Sequence, residues 1–150
     1  MNTLEQAEID LLRSKGFEFT TTFFGKEKVW RTKKMSLSRL LDLSNVYVKI
    51  EVNEDVLDSG TMKEFITENY NSVRKNAKKA AYAIAISVSD SSIVRFFLAK
   101  HFLRSLDNQE LNEIAQKLFK QADYQNFMHS ITLMNGSRIT KPQVIEKPKA

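Results

Sequence analysis

The chain has 150 residues, 42% hydrophobic and 27% charged, with no cysteine, four glycines, two prolines and a formal net charge of +5. This length suits one domain with a genuine core and is too short for a second large one. The missing cysteines exclude a disulfide scaffold, a thiolate metal site and a cysteine nucleophile. So few glycines and prolines favour a helix-rich chain over a sandwich or propeller.

The opening residues, MNTLEQAEIDLLRSKG, have neither the basic start nor the apolar stretch of a secretory signal. The most apolar run, Ala80 to Val88, is far shorter than the roughly 20 residues that cross a bilayer. A soluble protein of the cytoplasm, without membrane contact, is expected.

Thr3 and Gln6 have the spacing of a capping box. A helix should run from about Leu4 to Lys15 and stop at Gly16. Phe17, Phe19, Thr21 and Phe23 alternate onto one strand face. Gly25-Lys26 suits a type II′ turn, with glycine first. The returning strand holds Val29, Trp30, Arg31 and Thr32, with Trp30 opposite Thr21. Ser36 caps a helix carrying Leu37, Leu40 and Leu41. Residues 45–52 fit two periods. Val46, Val48, Ile50 and Val52 alternate as in a strand, while Leu40, Leu43, Val46 and Ile50 make a helical stripe, and helix is favoured.

Asn53 to Gly60 reads as an acidic linker. Thr61 and Glu64 form a second capping box, which opens the longest helix, to about Ser89. Its first half is amphipathic and its second half, AAYAIAISV, is apolar nearly all round, so it should be the central buried helix. Asp90-Ser91-Ser92 breaks it and caps a helix from about Ile93 to Ser105. Asp107 and Glu110 cap the next, with Leu111, Ile114, Ala115, Leu118 and Phe119 on one stripe. A last helix from about Tyr124 gathers Phe127, Met128, Ile131 and Met134, and Asn135-Gly136 should end it.

The fold expected is mainly α (α+β). It is a helical domain over residues 1–136, with an N-terminal β-hairpin at about 17–34 packed on the long central helix. Residues 137–150 read as a flexible basic tail.

Catalytic and metal signatures are missing. His101 and His129 lie in different helices, and neither has a metal-ligand partner at i+3 or i+4. The glycines are isolated, so no phosphate loop forms, and no GxSxG or HExxH motif is present. Asp55, Asp58 and Glu54 read as a solvated acidic turn rather than a cation site. No enzyme and no cofactor are expected.

Charge is segregated along the chain. Residues 26–39 carry net +5, residues 42–68 net −5, residues 74–104 net +6 and residues 137–150 net +3. Arg74, Lys75, Lys78 and Lys79 cluster on one helix. They suit either a phosphate backbone or acidic partner, or a solvated helix face paired with the acidic 42–68 stretch.

Three segments together carry a resemblance. They are VWRTKKMSLSRLLDLS, SVRKNAKKAAYAIAISV and DYQNFMHSITLMNGSRITKP. In this order and at this length the chain resembles tail assembly chaperones of long-tailed phages and prophages, over most of residues 17–142. The resemblance implies a protein that is not an enzyme and works in the host cytoplasm. Such a chaperone binds the long, helical tape measure protein, helps recruit tail tube protein, and leaves before the virion is complete. Many exist in a short and a frameshifted longer form. Homo-oligomers are compatible with this role, and nucleic acid is not an expected partner.

Such a client needs adaptable apolar surface with a polar rim. Phe127, Met128, Ile131 and Met134 could supply it, as could Phe96 and Phe97. Arg74, Lys75, Lys78 and Lys79 could meet acidic positions on a partner. The alternatives are a structural virion component at the tail end or neck, and a nucleic-acid-binding module built on the basic cluster.

Overall fold

The computed structural model describes residues 3–136. Its elements in chain order are helix α1 (Thr3–Lys15), strands β1 (Glu18–Phe23) and β2 (Lys26–Arg31), and helices α2 (Leu37–Tyr47), α3 (Glu54–Ser59), α4 (Met62–Val88), α5 (Ser92–Ser105), α6 (Asn108–Ala122) and α7 (Tyr124–Gly136). The class is mainly α with one antiparallel hairpin and a long central helix, as the periodicity predicts. The basic tail expected at 137–150 lies outside the described residues.

Caps set most of the helix boundaries. The side chains of Ser36, Thr61, Ser91 and Asp107 each accept the backbone N–H three residues on. At Thr61–Glu64 and Asp107–Glu110 the acid also accepts the cap's own N–H, which completes the capping box. α1 stops at Gly16, whose φ is +69°. A Cβ there would lie 2.3 Å from the Thr32 carbonyl oxygen. Glycine therefore lets the chain turn close against Thr32, which pairs with Phe17 through two 2.9 Å hydrogen bonds.

The second half of α4 lies between two apolar clusters. On one side Ala81, Ile84 and Ala85 pack with Leu12, Phe17, Leu98, Phe102, Ile114 and Leu118, joined by Phe19 and Trp30 of the hairpin. On the other, Ala83 and Ile86 pack with Leu43 of α2. The alanines let helices approach from both sides, which places this half of the helix at the centre.

Two buried arginines tie the α4–α5 turn to α2. Arg39 donates to the carbonyls of Ile86 and Lys34 and to the Asp90 carboxylate. Arg95 donates to the Ser89 carbonyl at 2.6 Å and to Asp42 at 2.9 Å. The Lys33 hydrogen bond, then the Arg39 charge, hold Asp90 below its ordinary carboxylate range.

The hairpin register differs from the sequence expectation. The turn is Phe24–Gly25 rather than Gly25–Lys26, and both φ angles are positive, +49° and +73°. That defines a type I′ turn. Phe23 pairs with Lys26, so Trp30 faces Phe19 and Thr21 faces Lys28. The slip is two positions, which keeps every side chain on its predicted face. Trp30 reaches Thr21 diagonally instead, donating from Nε1 to Oγ1 at 2.7 Å.

Residues 45–52 resolve into neither candidate period throughout. α2 ends at Tyr47, and the N–H groups of Val48, Lys49 and Ile50 close back onto the carbonyls of Ser44, Val46 and Tyr47. Asn76 of α4 then pairs with the Glu51 backbone through both of its amide atoms, at 3.1 and 2.8 Å. This side chain takes up backbone groups that a sheet partner would otherwise satisfy. The acidic linker contains the short helix α3, capped by Asn53. The two acids of its first turn, Glu54 and Asp55, left little apolar pattern to announce it.

Candidate partner-binding site

α7 carries an apolar stripe, yet none of its residues is buried. Its start is fixed by Asp123, which adopts the left-handed conformation at φ +48° and ends α6. Arg13 of α1 reaches Asp123 at 3.2 Å, and Asn126 donates to the same carboxylate at 2.6 Å. This reversal sends α7 back past α2 with a gap between them. The gap is a groove of about 420 Å³. Met35, Leu37 and Leu40 form one wall, Phe127, Ile131 and Met134 the other, and Gln121 and Ala122 lie between.

Polar atoms at the groove are incompletely satisfied. Gln121 is buried and donates from Nε2 to the Lys33 carbonyl at 3.0 Å. Its Oε1 and the Nε of Arg13 are buried without a hydrogen-bond partner among the described residues. Such orphans are uncommon in folded proteins. An incoming segment that carries apolar side chains and a polar edge suits this mixture.

The other predicted residues fall elsewhere. Met128 is exposed on α7 and does not line the groove. Phe96 and Phe97 lie exposed on α5 as an edge-to-face pair with centroids 5.6 Å apart, and Lys100 sits 4.4 Å over the Phe96 ring. Phe102, on the same helix, is core. The basic cluster divides. Lys75 pairs with Glu51 at 3.6 Å and Lys79 donates to the Lys49 carbonyl at 2.5 Å, whereas Arg74 and Lys78 are exposed with no acid in salt-bridge range among the described residues. Met35 and Gln121 escaped the sequence reading. Met35 lies outside any helical period, and a buried glutamine inside an amphipathic helix gives no hydropathy signal.

The histidines are packing and surface residues. His101 sits among the rings of Phe23, Trp30 and Phe102. Thr21 Oγ1 accepts from Trp30 Nε1 and shares a second hydrogen bond, 2.7 Å long, with His101 Nε2. Burial holds this imidazole below its ordinary pKa. His129 is exposed. Among the described residues no group of three or more His, Asp or Glu side chains is placed to hold a metal ion. A larger hollow of about 630 Å³ beside residues 50–55 is open and mostly polar, with Glu51, Glu54, Asp55 and Glu68 on its walls. Among the described residues no helix is long and apolar enough to cross a membrane.

No protein-family model, curated protein or solved structure matches the chain.

Proposed function

We propose that this chain is a non-enzymatic tail assembly chaperone of a long-tailed phage. It works in the host cytoplasm, holds a helical stretch of the tape measure protein in the groove between α2 and α7, and assists recruitment of tail tube protein. The observation that carries this reading is the uncovered groove itself. A helix such as α7 is marginal alone and gains its stability from packing, yet this one leaves its apolar face open beside a second open apolar wall. Methionine at both walls gives a surface that adapts to different side chains. An amphipathic helix laid into such a groove is an established mode of peptide recognition. The resemblance of the three quoted segments supplies the biological setting.

The test is co-expression with a tape measure protein of the same phage. The expected outcome is a soluble complex that co-purifies, and a finished particle that lacks this chain. Ile131→Asp, at a half-exposed position, should leave the fold intact and abolish co-purification. A tape measure protein that stays insoluble and unbound would refute the reading. Recovery of the chain as a component of purified particles would favour the structural virion alternative.

A further inference from the structure

The apolar stripe of α4 continues beyond the part that the body of the protein covers. Ile66, Tyr70, Val73 and Ala77 recur at i, i+4, i+7 and i+11, in line with Ala81 and Ile84 of the core. From Ala77 onward the α5–α6 junction lies over this face, through Phe102, Leu103, Leu106 and Leu111. Before Ala77 little covers it. Met62 is 74% exposed, Ile66 42%, Tyr70 73% and Val73 65%.

The charges at the edge of this stripe select what can cover it. Glu68, Lys75 and Lys79 turn to the opposite side of the helix, where they meet Asn53, Glu51 and Lys49. Arg74 and Lys78 remain along the border of the stripe, exposed and without an acidic neighbour among the described residues. We infer that the first half of α4 is a second docking surface, for an amphipathic helix of another protein whose apolar stripe is bordered by aspartate or glutamate. The basic border supplies orientation and the Tyr70–Val73 face supplies burial. A second copy of this chain fits poorly, because antiparallel pairing of two α4 stripes sets basic border against basic border. Nucleic acid would use the bases but leave the apolar stripe exposed. The surface is separate from the α2–α7 groove, so neither proposal depends on the other.

The test uses the full chain and two labelled helical peptides of equal length with the same leucine stripe, one bordered by glutamate and one by lysine. Fluorescence anisotropy should show the glutamate peptide binding, with affinity that falls as salt is raised. Arg74→Glu with Lys78→Glu should weaken it about tenfold or more and let the lysine peptide bind instead. Val73→Asp should abolish both, and Ile131→Asp in the groove should change neither. Equal binding of the two peptides by the parent chain, or no effect of the charge reversal, would overturn the proposal. So would displacement of the glutamate peptide by short duplex DNA, or sedimentation showing that the stripe is occupied by a second copy.

Discussion

Phe24 holds a left-handed backbone with its ring 91% exposed, resting edge-on against Phe23 at 4.6 Å. A type I′ turn favours asparagine or glycine at this position, because a Cβ is crowded there. Phe24→Asn should therefore raise stability by about 0.5–1 kcal/mol, read as a higher denaturant midpoint at unchanged slope. The sequence pointed to Gly25 as the first turn residue because glycine is the usual bearer of positive φ. The exposed Phe24 gave no sign that it would share that role. At Tyr47, burial first and the neighbouring Tyr124 second push the phenol up to about 12. The folded chain keeps this proton while the unfolded chain loses it near 10, so the stabilisation is complete below pH 10 and declines as pH rises toward 12. Absorbance of tyrosinate should show one of the four tyrosines titrating late, and Tyr47→Phe should remove that step.

Arg39 shows what an element costs to dock. It is 4% exposed and fastens α2 to the end of α4 and to the turn that follows. Arg39→Ala leaves the Ile86 and Lys34 carbonyls without this donor and should destabilise by about 2–4 kcal/mol. Lys33→Ala removes an exposed partner of an exposed carboxylate and should cost far less. A similar loss from both variants in chemical denaturation would contradict this ranking. The long elements were legible because cap and stripe agree, as at Asp107–Glu110 followed by Ile114 and Leu118. Residues 48–60 were not. Their backbone is held by Asn76 and by an asparagine cap, long-range and polar contacts that leave no period in the sequence. For α7 the stripe was legible in Phe127, Ile131 and Met134, while Met128, grouped with them, lies off the groove, and a stripe looks the same whether it faces a core or an empty groove. Met35, Leu37 and Leu40 on the facing wall emerge only from the reversal at Asp123.

Across the whole molecule, charge segregation along the chain becomes pairing between neighbours in space: Lys75 with Glu51, Lys120 with Glu8, Arg95 with Asp42. Of the basic cluster on α4, Arg74 and Lys78 stay without an acidic partner among the described residues and border an uncovered apolar stripe. The molecule thus presents two uncovered apolar surfaces, the α2–α7 groove and the first half of α4, on a core centred on the second half of α4. Hydrogen–deuterium exchange of the chain, alone and in complex with the tape measure protein, tests the groove most directly. New protection should concentrate in residues 124–136 and 37–41. A stable complex in which these segments exchange as in the free chain would contradict the account.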